Sequence, residues 1–234
     1  MGAILKRELS SYFNSAIAYI VMAVFFGFSG LFFVVTCFGS NISTLSYTFS
    51  NMFVIIVMIV PIITMKSLSE EKHQRTDQAL LTSPTSLFEV VMGKFLGAFT
   101  LYAICCGIFV LYGIVLSFFA MPDWSVIICT LIGILLVGGA LISIDIFISS
   151  LTESQIISAV VGMAVGLIMY MWSSITSMIS VDWIASALNT VSFTERYTTF
   201  TYGVLDLSAV VFFLSVIALF IFFTIRVLEK KRWS

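Results

Sequence analysis

With 234 residues, 60% of them hydrophobic and only 10% charged, the chain departs far from a soluble domain, in which roughly a quarter of residues are charged. It is read as an all-α integral membrane protein, a single domain over residues 1–234. A formal net charge of −1 offers no basic surface and argues against nucleic acid as a partner. Cys37, Cys105, Cys106 and Cys129 all lie in apolar runs without CxxC or Cys/His spacing; no metal site or disulfide framework is expected, and they read as small core residues.

Residues 4–13 place Ile4, Leu5, Leu9, Tyr12 and Phe13 on one helical face, with Lys6, Arg7, Ser10 and Ser11 largely on the other. This is the pattern of a helix lying in the headgroup plane, the alternative being a disordered charged terminus. The apolar run that follows is too long for a signal-peptide core, and no A-x-A-like site closes it, so it is read as a retained span. Span one covers about 16–38, long enough for a hydrocarbon core that needs about 20 helical residues. After a short uncharged turn, span two covers about 47–65, with a kink or local unwinding expected at Pro61.

Beyond a hydrophilic stretch, span three takes 95–119 and closes at Met121-Pro122-Asp123-Trp124, a turn with an interfacial Trp. Span four takes 125–149. Span five takes 155–179, after a link in which Thr152 and Gln155 have capping-box spacing. Residues 180–206 are too polar to cross; Trp183, Ile184, Ala187, Leu188 and Val191 recur at helical spacing and predict one or two interfacial or re-entrant helices. Span six takes 207–228 and ends in a basic tail.

Six spans place Lys6, Arg7, Lys66, Lys72, Arg75, Lys94, Arg226, Lys230, Lys231 and Arg232 on one side and Arg196 alone on the other. The positive-inside rule makes the rich side cytoplasmic, with both termini there. Gly93 with Gly97, and Gly162 with Gly166, have the GxxxG spacing that lets helices approach in lipid; packing within the chain and packing between subunits are both open.

The hydrophilic stretch 65–94 holds four of the eleven Lys and Arg residues and the only histidine. Ser67 with Glu70 and Ser86 with Glu89 have capping-box spacing, Pro84 separates two short helical pieces, and Lys94 is read as an interfacial anchor at the start of span three. Mixed charges beside Leu80, Leu81 and Phe88 suit docking onto a soluble partner. Glu70-Glu71-Lys72-His73-Gln74-Arg75 reads EExxxR and resembles the first motif of CAAX-type intramembrane proteases, but His73 is the only histidine and no later one completes such a site. Asp145 is the only acid well inside a span and so a candidate polar site, interfacial or helix-pairing use being the plainer reading. An ATP-independent carrier or channel using Asp145 is the alternative function. No GxxxxGK[ST] phosphate loop is present.

MKSLSEEKHQRTDQALLTSPTSLFEVVMGKFLGA, from Met65, resembles the first cytoplasmic loop of type-2 ABC exporter permeases. Two further stretches agree: ISSLTESQIISA, from Ile148, is similar to that family's link between spans four and five, and SFTERYTTFTYGVLDLSAVVFFLS, from Ser192, to the segment before its last span. The similarity is strongest to the gliding-motility-associated branch. Two positions depart from the family pattern: Arg75 precedes Thr76 where Gly-Thr is usual, and Asp145 stands where small or apolar residues are usual.

The resemblance implies six transmembrane helices with an N-terminal interfacial elbow helix, a cytoplasmic coupling helix and an extracellular re-entrant hairpin before the last span. It implies a permease in the cytoplasmic membrane, not itself an enzyme, binding no cofactor. ATP and Mg would sit on separate ABC ATPase subunits, and a second permease copy or paralogue would complete the pathway, with membrane lipid around it and an auxiliary extracytoplasmic subunit as a further candidate partner. Ser69, Glu70, Glu71, Lys72, Arg75, Thr76, Leu80 and Leu81 are the implied ATPase-coupling residues, with Glu70, Glu71, Lys72 and Arg75 facing the partner. Span five is the implied dimer seam, and Glu195 and Arg196 lie in the implied extracellular gate.

Overall fold

The computed structural model describes residues 2–39, 45–73, 86–119, 121–178, 183 and 188–232. Among them every regular element is helical: α1 (Gly2–Phe13), α2 (Ala16–Phe33) running into a π-helical turn (Val34–Gly39), α3 (Ser46–Thr64), α4 (Ser69–His73), α5 (Leu87–Cys106), α6 (Ile108–Ser117), α7 (Trp124–Leu151), α8 (Gln155–Thr176), α9 (Phe193–Thr201) and α10 (Leu207–Arg232). Six stretches are long and apolar enough to cross a membrane: Ala16–Cys37, Ser46–Lys72, Leu87–Ser117, Trp124–Leu151, Gln155–Thr176 and Leu207–Arg232. This is the number expected from the sequence.

The third stretch starts at Leu87 rather than at Phe95, because Ser86 caps it: its Oγ accepts the Glu89 N–H at 3.2 Å. Of the other capping boxes expected, neither forms. Ser67 Oγ makes no hydrogen bond among the described residues, and Thr152 Oγ1 turns back to donate to the Ile148 carbonyl at 3.3 Å. At Pro61 the expected unwinding does not occur, since α3 continues through it to Thr64.

The bundle is organised around α7, which packs against α3, α5, α8, α9 and α10. Its sequence is apolar all round, as a helix buried on all sides requires, and its glycines lie on different faces. At roughly 100° per residue, Gly133, Gly138 and Gly139 point about 100–140° apart. Gly133 lies under the Phe200 ring of α9, Gly138 under the Tyr102 ring of α5, and Gly139 faces Ile217 of α10 and Phe99 of α5. Each missing side chain is the seat of a neighbour. Tyr102, fully buried, is also fixed at its far end, where its hydroxyl donates to the Ile134 carbonyl at 2.8 Å.

The two GxxxG pairs both serve packing within the chain. Gly93 and Gly97 of α5 receive Ile4 and Glu8 of α1, while Gly162 and Gly166 of α8 receive Asp145, Pro61 and Val57 from α7 and α3. A Cβ on Gly166 would lie 2.8 Å from Val57 Cγ1. Gly166→Ala is therefore expected to lower stability by about 1 kcal/mol through overpacking. Gly27→Ala, whose added carbon would meet nothing within 4 Å, should be neutral or stabilising through helix propensity. Thermal unfolding of both variants checks this; equal midpoints would mean that α8 does not rest on α3.

At one end of the bundle α9 bridges α3, α7 and α8. Tyr197 donates to the Phe49 carbonyl at 3.1 Å, Thr130 of α7 and Ser46 of α3 donate to the carbonyls of Phe200 and Thr201 at 3.0 and 2.9 Å, and Thr194 donates to the Tyr170 carbonyl at 2.9 Å. The other end holds the charged residues.

Candidate functional site: a charged joint around Lys94

Two turns into α5, Lys94 is only 2% exposed, which makes it a buried cation rather than the interfacial anchor expected from the sequence. Burying an ammonium costs several kcal/mol unless all its donors are well placed. A lysine has three donors, and all three are used. Nζ donates to Glu8 Oε1 of α1 at 3.1 Å, to Glu71 Oε1 of α4 at 2.9 Å and to the Ser67 carbonyl. Arg7 of α1 completes the cluster, 3.2 Å from Glu71 Oε1 and 3.4 Å from Glu8 Oε1. Two cations and two carboxylates balance.

Local sequence explains how the partners meet. The missing side chains at Gly93 and Gly97 let α1 lie directly on α5, with Ile4 over the first and Glu8 over the second; one turn of α1 separates these two residues, and one turn of α5 separates the glycines. Lys94, next to Gly93, then emerges beside Glu8. Tyr12 holds the same helix to α3 by donating to the Ile63 carbonyl at 3.2 Å. Burial of its hydroxyl, with the Glu8 charge adding to it, pushes the Tyr12 pKa up, so it remains a donor.

The start of α4 is capped from a distance. Ser149 Oγ, near the end of α7, accepts the backbone N–H groups of Leu68 and Ser69 at 3.1 and 3.0 Å, supplying the acceptor that Ser67 was expected to provide. Lys72 donates to the Ser150 carbonyl, and Ser69 Oγ to the Met65 carbonyl. A five-residue helix, too short to hold itself together, is thus tied to α1, α5 and α7.

The expected coupling residues fall into two groups. Ser69 and Lys72 are buried, Glu71 is turned into the joint, and Glu70 is half-buried. For Lys72 and Glu71, partner-facing placement gives way to inward placement, because their charges find partners inside the chain. Arg75, Thr76, Leu80 and Leu81 lie outside the described residues, as do the His73 side chain and Pro84. Arg7, Glu8, Lys94, Ser149 and Ser150 were missed. Their signal was a lysine flanked by a GxxxG pair and an acid on the preceding amphipathic helix.

Asp145 is 4% exposed, with its Oδ2 buried and without a hydrogen-bond partner among the described residues. It lies over the bare backbone of Gly162 beside Pro61, a place between helices. At the opposite end, Glu195 and Arg196 are held apart. Glu195 Oε1 accepts from Ser173 Oγ at 3.3 Å; Arg196 donates to the Thr190 carbonyl and Ser208 Oγ at 2.9 and 3.1 Å and stacks over Phe212. Among the described residues no three His, Cys, Asp or Glu side chains come together as a metal site, and all four cysteines are buried and free.

No curated protein matches the chain. Residues 36–228 match the family described as ABC-2 family transporter protein, a span that takes in α3 to α9, most of α10 and the Lys94 side of the joint. A multi-pass helical chain with six candidate membrane-crossing stretches is the architecture of a membrane permease. The chain belongs to the ABC-2 family of transporter proteins, the membrane-spanning components that work with ABC ATPase subunits.

Proposed function

We propose that the chain is the permease subunit of an exporter in the cytoplasmic membrane, of the gliding-motility-associated branch, driven by a separate ATPase that holds ATP and Mg. Both termini and α4 face the cytoplasm, as the distribution of Lys and Arg favours. In this reading α1 is the elbow helix, α4 belongs to the coupling element, and α9, carrying Glu195 and Arg196, to the extracellular gate. A second permease copy or paralogue meets the uncovered side of α8, where Ile157, Val160 and Val161 are exposed, and an auxiliary extracytoplasmic subunit would dock at that gate.

The observation that carries the reading is the wiring of α4. Its residues are tied by charge or hydrogen bond to α1, α5 and α7 at once, so a push on α4 moves three helices as one. ATP-driven closure of the ATPase pair would deliver that push and rock the permease halves.

Co-expression with a candidate cytosolic ABC ATPase tests this. The two should co-purify, and ATP with vanadate should change the distance between spin labels at Tyr202→Cys of two permease copies. Ser149→Val leaves two buried N–H groups unpaired, at about 1–3 kcal/mol each; it should retain the ATPase and lose most of the distance change. Failure of the ATPase to associate would overturn the reading. An ATP-independent carrier is the second reading, favoured by the buried Asp145 carboxyl; it requires substrate flux without any ATPase that Asp145→Asn abolishes.

A further inference from the structure

Asp145 is 4% exposed, and its Oδ2 is sealed off without a hydrogen-bond partner among the described residues. It takes part in none of the ion pairs found among them. A carboxylate so placed gives up its hydration and gains no partner in exchange. A neutral carboxyl carries no such cost, and one bound proton makes the difference.

Charges on the surrounding helices do not alter this. The helices that pack against this face of α7 are α3 and α8, and neither contains Asp, Glu, Lys, Arg or His. Their titratable groups, Tyr47 and Tyr170, lie about 21 and 12 Å along the helix axes from Pro61 and Gly162, and Cys129 of α7 lies about 24 Å from Asp145. Lys72 of α4 donates to the Ser150 carbonyl, and Lys94 of α5 spends its three donors on Glu8, Glu71 and the Ser67 carbonyl. The α10 helix meets α7 at Phe147 through Phe220 and Phe223, about 200° round the helix from Asp145, and its Arg226 pairs with Glu229. Helix α9, with Glu195 and Arg196, meets α7 near Gly133, about 18 Å along the axis. Lys66, Glu70, Glu89 and Glu153 lie at or beyond helix ends.

One helix covers the carboxyl. A Cβ on Gly162 of α8 would stand 2.6 Å from Asp145 Oδ1 and 3.1 Å from Pro61 Cβ. Among the described residues, the hydrogen bonds of α8 to other parts of the chain all lie near its far end, where Tyr170, Trp172, Ser173 and Thr176 meet Thr194, Leu188, Glu195 and Asn189. The α8 helix is thus tied at one end and rests on Asp145 towards the other.

We propose that Asp145 is a proton-binding site that holds α8 in place. The proton is bound while Gly162 covers the carboxyl, and it leaves when the Gln155 end of α8 moves off and water enters. Raising the pH therefore favours the separated arrangement and lowering it the packed one, by up to about tenfold per pH unit for a single proton. The linkage acts whether or not a separate ATPase drives the chain.

Infrared spectra of the full-length chain in phosphatidylcholine vesicles at neutral pH should contain the stretch of a protonated carboxyl, and Asp145→Asn should remove it. Spin labels at Met58→Cys on α3 and Ile157→Cys on α8 occupy exposed positions in a chain whose own cysteines are buried. They should move apart as alkali titrates that band away, and in Asp145→Asn their separation should not follow pH. Gly162→Ala, whose added carbon presses on Oδ1, should bind the proton about tenfold more weakly, so that its band is lost about one pH unit lower. A wild-type spectrum without the band, a band that persists in Asp145→Asn, or a wild-type label separation that ignores pH would each overturn the proposal.

Discussion

Lys94→Met is expected to destabilise the chain by about 3 kcal/mol, because removing one partner of a buried ion pair leaves the others uncompensated. The side chain it removes is 2% exposed and serves Glu8 and Glu71, whose side chains are 12% and 18% exposed. Those two carboxylates would face one another with only Arg7 between them. Partial hydration of the glutamates keeps the loss at the lower end of what a fully buried pair would show. Arg7→Met provides the comparison, since Arg7 meets the same two carboxylates from a side chain 58% exposed; an exposed pair is worth at most about 1 kcal/mol. Thermal or chemical unfolding of the two variants should rank Lys94→Met well below Arg7→Met. Adding Glu71→Gln to Lys94→Met should recover part of the loss, because it removes an uncompensated charge, and the double-mutant cycle measures that coupling. Equal effects of the two cation variants, or strict additivity with Glu71→Gln, would mean that the ammonium is not what holds α1, α4 and α5 together.

The six crossings were legible because apolar runs of about 20 residues leave few alternatives in lipid, and ten basic residues fall on one side of them against one on the other. The joint was legible in pieces. Glu71 and Lys72 stood out by charge, but the sequence could not show that they turn inward, because their partners are on α1, α5 and α7, far away along the chain. Lys94 reads as an anchor when span three begins at Phe95; the spacing of Ser86 and Glu89 marks a helix start but not that this helix runs on unbroken into the span, which places the same lysine two turns inside it. The centrality of α7 was hidden for the opposite reason. A helix apolar on every face has no amphipathic period to read, and the remaining signal, glycines spread around its circumference, becomes visible only when neighbours occupy them. Asp145 drew notice by rarity alone, and its placement against Gly162 and Pro61 required the packing of α7, α3 and α8.

Gly138→Ala is the second change expected to cost about 3 kcal/mol, and it does so against the helix propensity that favours alanine by about 1 kcal/mol. The added carbon would stand 2.1 Å from Tyr102 Cε1, 2.3 Å from Cζ and 2.6 Å from the hydroxyl oxygen, all well inside van der Waals contact. Tyr102 cannot swing aside freely. It is fully buried, and its hydroxyl is held by the Ile134 carbonyl at 2.8 Å, so rotation gives up a buried hydrogen bond worth about 1–3 kcal/mol when its donor is left unpaired. The alternative, moving α5 away from α7, opens the packing along both helices. Gly139→Ala is the control one residue away: its added carbon would meet Ile217 Cδ1 at 3.2 Å and Phe99 Cε2 at 3.3 Å, ends of side chains that can give by a few tenths of an ångström, so its unfolding midpoint should stay near wild type. Tyr102→Leu should rescue much of the Gly138→Ala loss, since it removes the ring and the hydroxyl together. If the adjacent alanine substitutions prove equally harmful, or Tyr102→Leu gives no rescue, then the fit of one ring over one bare backbone position is not what sets the distance between α5 and α7.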